Sequence, residues 1–154
     1  MESGNLDVYT QAAAVGYTYT LISNNFKHVH LNVVGPKFDR IHALADEYYH
    51  YFSDKADFFF ELALQNFDSI DNPTNAQRYS QIGVLEERNY DYRDACTVMC
   101  AQFQAAIDSI CALRDAAASM TDIQSDCDSE LSYLNKELNF FMRKRTDFTE
   151  SQEG

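Results

Sequence analysis

The sequence has no tryptophan, two prolines and five glycines in 154 residues. With so few residues that break or turn a chain, its elements must be few and long, which favours helices. No apolar run approaches the roughly 18 residues that a membrane span requires, so no membrane association is expected. The first residues, Met1 to Asn5, show no basic region followed by an apolar run, and no secretory leader is expected. The four cysteines, Cys96, Cys100, Cys111 and Cys127, form no CxxC pair. Cys96, Cys100 and Cys111 would fall within about 60° of one another on a helix but over too many turns to chelate one ion. They read as small packing groups in a reducing cytosol. Basic residues are also scarce, 12 Lys and Arg against 24 Asp and Glu, for a formal net charge of −12. Such a surface repels phosphate backbones and draws cations, so a soluble, cytoplasmic protein without tight DNA binding is expected.

What is present points to one helical domain over residues 1–154, a length sufficient for a sizeable core. Apolar residues recur in steps of three and four at Val8, Ala12, Val15, Tyr19, Ile22 and Phe26, a helix stripe that stops at Gly35-Pro36. A second stripe runs Ile41, Ala45, Tyr48, Phe52, Ala56, Phe59 and Ala63, ending near Asn66. A third runs Cys96, Met99, Phe103, Ile107, Ile110 and Leu113. The fourth, Ile123, Cys127, Leu131, Leu134, Leu138 and Phe141, opens with the capping pattern Thr121-Asp122-Ile123-Gln124. A similar pattern at Thr74–Gln77 predicts a short helix through Tyr79 and Ile82 in the long connection. The fold class is all-α: a four-helix bundle with a short helix between the second and third helices. The polar tail 146–154 is expected to be disordered.

All four histidines lie within residues 28–50. On a second helix, His42, Asp46, Asp57 and Glu61 would sit at about 0°, 40°, 60° and 100°, one stripe bordering the apolar face. Yet the His42/Asp46 and Asp57/Glu61 pairs would lie ~22 Å apart along the axis, so one chain cannot bring them to one metal. A two-fold axis near Tyr51 and Phe52 would set two copies of the helix antiparallel and pair the ends, giving two equivalent sites. His30 can fold back across the Gly35-Pro36 turn toward His42. Two imidazoles and three carboxylates suit iron, and would also take zinc or manganese. Spacing alone leaves open that these are solvated charges on a helix face.

At these residues the chain resembles the Dps family, the miniferritins of the ferritin-like superfamily. The resemblance rests on His30-Leu31-Asn32, then Gly35-Pro36-Lys37-Phe38, then His42 to Asp46 and Asp57 to Glu61, with ligand steps of 12, 4, 11 and 4 residues. It implies a ferritin-like bundle assembled as a homo-oligomeric, dodecameric shell of two-fold dimers. It implies ferroxidase sites at each dimer interface, with Fe(II) oxidised by hydrogen peroxide or oxygen and Fe(III) stored as mineral. His30 of one chain would bind the principal iron with Asp57 and Glu61 of its partner. His42 and Asp46 would serve a second iron position. Asp122, Asp126, Asp128 and Glu130 lie near where the family places its three-fold pore. The chain departs from the family at Leu31, where a Trp is usual, and at Phe60-Glu61-Leu62, where Ala-Glu-Arg is usual. The Gly-Gly expected after the second helix is absent. The alternative is a shell of the same fold with an impaired site. The Arg143-Lys144-Arg145 run reads as cations complementing a helix C-terminus, not a DNA-binding tail. Glu47 and His50 spell the Glu-x-x-His of larger ferritins, but the first helix offers no acid after Asp7 to complete such a centre.

Overall fold

The computed structural model describes residues 2–72 and 82–145. Four helices make the bundle: α1 (Glu2–Asn32), α2 (Phe38–Ala63), α3 (Tyr92–Ala116) and α4 (Thr121–Asn135). A helical stretch, Lys136–Arg145, continues α4 as the fourth stripe expects, but in π-helical form, which the stripe did not indicate. The short helix expected from Thr74 through Tyr79 and the tail 146–154 lie outside the described residues.

The predicted stripes supply the inward face, with Ile107 and Leu131 only half-buried and the Phe141 side chain outside the described ones. Every residue of the first two stripes is at most 3% exposed. Aromatic rings fill the centre: Phe26 stacks on Phe52 at 5.5 Å, and Tyr48 meets Phe103 edge-on at 4.8 Å. Removing a ring as buried as Phe52 would cost about 3–5 kcal/mol. Helix α3 is long and apolar enough, by composition, to cross a membrane. Its apolar residues Cys96, Met99, Phe103, Ile110 and Leu113 are buried in the bundle.

Helix α1 packs closely on α2 and α3, and α3 on α4. The backbones of α2 and α4 stand farther apart, and long side chains bridge them: Tyr51 stacks on Tyr133 at 4.1 Å. Two caps differ in how they form. Asp91 caps α3 by accepting from the Asp94 N–H at 2.8 Å. The expected Thr121 cap is displaced by one residue: Met120 precedes the helix and makes no side-chain cap bond, so Thr121 already lies in the first turn.

The α1–α2 turn positions the candidate site. Gly35 has φ +86°, a left-handed conformation that a side chain would strain, and Lys37 also has positive φ at 67°. The Lys37 ammonium lies 4.3 Å from the Tyr92 ring centroid, which anchors this strained residue to the start of α3. An isolated bridge joins Val33 to Tyr90, with Val34 N–H donating to Tyr90 O at 2.8 Å and Tyr90 N–H to Asn32 O at 3.0 Å. Farther along, the 2%-exposed Asn25 accepts from the Leu85 N–H at 3.3 Å and donates to Gly83 O at 3.1 Å, fastening the long connection to α1.

Candidate metal centre

The turn brings the last turn of α1 against the first turn of α2, and so His30 against His42. Their rings stack at 3.8 Å with 19° between planes. Each ring is also held by the other residue's main chain. His30 Nδ1–H donates to His42 O at 2.8 Å, and His42 Nδ1–H donates to His30 O at 2.7 Å. A carbonyl can only accept, so both neutral rings carry their proton on Nδ1 and present the Nε2 lone pair. That is the ring nitrogen a metal would take. Phe38 stacks on the outer face of His42 at 4.9 Å, and Tyr49 lies 5.7 Å from His30. Together these contacts fix both imidazole planes without any added ion.

Asp46 lies one helical turn beyond His42, with Oδ1 3.9 Å from His30 Nε2 and its side chain 47% exposed. His50 donates from Nδ1 to Asp46 O at 2.9 Å. His30, His42 and Asp46 thus gather at one end of α2, with His50 one further turn along. Asp57 and Glu61 are exposed near the other end of the helix, and the chain does not fold them back toward the histidines. Asp57 lines a shallow cavity of about 150 Å³ with Thr20, Ser23, Asn24, Ser53 and Phe60. Among the described residues, no three His, Cys, Asp or Glu side chains of one chain come together as a metal-holding group. The Glu47/His50 arrangement is not completed either.

Phe60 packs between α1 and α2 and lines the same cavity as Asp57. Its ring is 7% exposed and turns toward α1, meeting Tyr17 edge-on at 5.0 Å. Leu62 is 8% exposed and packs in the core, whereas Leu31 is 66% exposed.

The acids at the start of α4 do not form one group. Asp122, Asp126 and Asp128 are exposed, and Asp128 accepts from Arg114 Nε–H at 2.6 Å. Glu130 departs from the pore reading: it is 4% exposed and turned into the bundle. It accepts the hydroxyls of Tyr19 and Tyr51, both at 2.7 Å, with the Lys55 ammonium 3.8 Å away. One face of the helix explains this, because Glu130 is seven residues after Ile123 and four before Leu134. Glu137, seven residues later, is also buried and accepts from Tyr48 OH at 2.8 Å. Acids at apolar-face positions, opposite tyrosines on two other helices, were the signal for this network.

No protein-family model matches the chain, and no curated protein matches it in sequence. Solved structures do. Helicobacter cinaedi CAIP superposes with a TM-score of 0.82 at 17% identity, covering 90% of this chain and 98% of that one. A Dps protein from Bacillus brevis gives 0.79 at 18% identity over 90% of this chain and 93% of the other. The chain has the Dps fold. A Dps protein from Vibrio cholerae O1, described as a member of a broad superfamily of ferritin-like diiron-carboxylate proteins, gives 0.80 at 16% identity, covering 88% of this chain and 87% of that one. At these identities the agreement is one of architecture: the four-helix bundle expected from the stripes, ferritin-like as the resemblance implied, is the one observed. In this Dps-fold chain, the α1–α2 corner brings His30 against His42, with Asp46 3.9 Å from His30.

Proposed function

We propose that the chain is a ferroxidase and iron-storage subunit whose sites are completed across a two-fold dimer. The observation that carries this reading is the reciprocal His30–His42 lock, which holds two imidazoles in fixed planes with Asp46 3.9 Å from His30 Nε2. A hydrogen bond from the ring nitrogen that does not ligate is how metal-binding histidines are oriented in general. Asp57 and Glu61, exposed at the far end of α2, supply carboxylates to the partner's histidine end when two copies of α2 lie antiparallel.

Fe(II) is the substrate. His30 with the partner's Asp57 and the partner's Glu61 binds one ion, and His42 with Asp46 serves a second. Two Fe(II) surrender two electrons to one hydrogen peroxide, which takes up two protons and leaves as two waters. The carboxylates favour Fe(III) over Fe(II) and so drive the oxidation; zinc or manganese would compete for the same nitrogen and oxygen donors. The Fe(III) product is stored inside a dodecameric shell built from such dimers, as part of an oxidative-stress defence in the cytoplasm. The four free cysteines fit a reducing compartment. Exposed Asp122, Asp126 and Asp128 would guide Fe(II) inward. With a net charge of −12, tight DNA binding at physiological salt is not part of this reading.

Anaerobic Fe(II) titration followed by peroxide or oxygen tests the proposal, with Asp57→Ala and Glu61→Ala run in parallel and solution mass measured alongside. Oxidation at the buffer-control rate would overturn it in favour of a shell with an impaired site. That alternative drew on Phe60 and Leu62, and both side chains are accommodated within the bundle.

A further inference from the structure

Glu130 has an unusual pair of partners for a buried carboxylate. Tyr19 OH donates to Oε2 and Tyr51 OH to Oε1, each at 2.7 Å, so two phenols on two helices share one acid. Tyr19 is fully buried, and its ring meets Phe52 at 4.9 Å. Tyr51 meets the same Phe52 at 5.3 Å on one side and stacks on Tyr133 at 4.1 Å on the other. A cavity of about 330 Å³ opens onto this group, lined by Tyr51, Tyr133, Glu130, Lys55 and Asp126. Of these residues the iron proposal uses only Asp126, on the exposed entry path; Tyr19, Tyr51, Tyr133, Lys55 and Glu130 have no part in it.

A phenol loses an electron readily only if its proton leaves at the same time, because the cation radical is a very strong acid. Burial, with the charge of Glu130 adding to it, pushes the phenols of Tyr19 and Tyr51 well above their ordinary range, which closes the route through a phenolate. The hydrogen-bonded carboxylate supplies the other route.

We infer that Tyr19, Tyr51 and Glu130 form a redox site that stores one oxidising equivalent as a neutral tyrosyl radical. A one-electron oxidant of the oxygen- or nitrogen-centred radical class takes one electron from Tyr51. The phenolic O–H bond breaks, and its proton forms an O–H bond on Glu130 Oε1. That new O–H donates back to the phenoxyl oxygen, while Oε2 still accepts from Tyr19. Return of one electron from a thiol or Fe(II) moves the proton back and restores the starting state. Tyr19 can undergo the same exchange with Oε2, and Tyr133 shields the radical on the cavity side. The inference does not rest on iron oxidation.

The test uses iron-free protein oxidised with azidyl radicals from pulse radiolysis, read by the phenoxyl absorption band and by electron paramagnetic resonance. The intact protein should give a long-lived radical that forms more slowly in D2O. Tyr19→Phe/Tyr51→Phe should lose that component, leaving only short-lived radicals from other tyrosines. Glu130→Gln, which keeps the size and an acceptor oxygen, should lose the isotope effect and shorten the lifetime by about tenfold or more. An unchanged long-lived radical in the double Phe variant would overturn the inference, as would an unchanged lifetime in Glu130→Gln. If Glu130→Gln does not fold, Tyr51→Phe alone decides, since it must remove the radical component stacked on Tyr133. A second arm adds Fe(II) and peroxide to the intact protein. A radical with azidyl but none with iron upholds this site and leaves the iron-oxidation proposal standing, since a two-electron reduction of peroxide releases no radical.

Discussion

The ring of Phe60 occupies the space that a side chain at Gly16 would need: a Cβ there would lie 2.5 Å from two of its carbons. The glycine of α1 and the phenylalanine of α2 therefore form one packing unit. Gly16→Ala should destabilise the chain by about 1–3 kcal/mol despite the better helix propensity of alanine. Combined with Phe60→Leu, the same change should cost less than the sum of the two single changes, as a denaturant double-mutant cycle would read. Simple additivity would show that the ring moves aside freely.

The His30 and His42 rings should both be Nδ1–H tautomers when neutral. Nitrogen-15 shifts of the two imidazoles in iron-free protein would report this directly. Each ring is anchored on a main-chain carbonyl, so His30→Ala should leave the tautomer of His42 unchanged. A mixed or Nε2–H population at either ring would contradict the lock.

Sharing of the site between chains has a genetic signature. His30→Ala/His42→Ala in one chain and Asp57→Ala/Glu61→Ala in another should each abolish Fe(II) oxidation. Co-expressed, they should form mixed dimers with one intact site apiece, recovering about a quarter of the intact activity if pairing is random. No recovery in a confirmed mixed dimer would place all ligands within one chain.

Burial holds the Glu137 carboxyl above its ordinary value of 4.5, with Glu47 adding to this and Tyr48 and Lys136 opposing it. The folded chain then keeps its proton where the unfolded chain has lost it, so this group's contribution falls as pH rises from 4.5 through the folded value. Glu137→Gln keeps an acceptor for Tyr48 and removes that dependence. Urea midpoints at mildly acidic and neutral pH should show the variant gaining on the intact protein as pH rises; a loss would reverse the assignment.

Thiol chemistry should separate the cysteines. Cys111 is exposed, whereas Cys96, Cys100 and Cys127 are buried. Burial, aided by Asp126 and Asp128, pushes the Cys127 thiol up to about 11. A thiol reagent at mildly alkaline pH should modify one cysteine per folded chain, and Cys111→Ser should abolish that fast phase.

The fold was legible because apolar periodicity reports burial directly: Val8 through Phe26 and Ile41 through Ala63 are the faces that pack. Helix ends were less legible. Thr121 has a capping side chain but sits one residue inside the helix, and the π-helical turn after Asn135 leaves no trace in a pattern of apolar positions. For the candidate site, spacing brought His30, His42 and Asp46 to one corner. It could not reveal the crossed hydrogen bonds, because their acceptors are main-chain carbonyls that every residue possesses. The inward turn of Glu130 was missed for a different reason. An acidic run was read from its charge and its place in the family pattern, while helical phase carried one member into the core. Cys111 shows the converse, a residue of apolar type placed on the outer surface.

The crossed bonds give the histidine corner a degree of autonomy. Both acceptors belong to the backbone, and both donors lie within residues 30–42, a single helix–turn–helix corner. Transplanted with Gly35 and Lys37 into another antiparallel helix pair, this segment would carry its own instructions for presenting two imidazoles. The host would have to supply only the angle between the helices and the acids that face them.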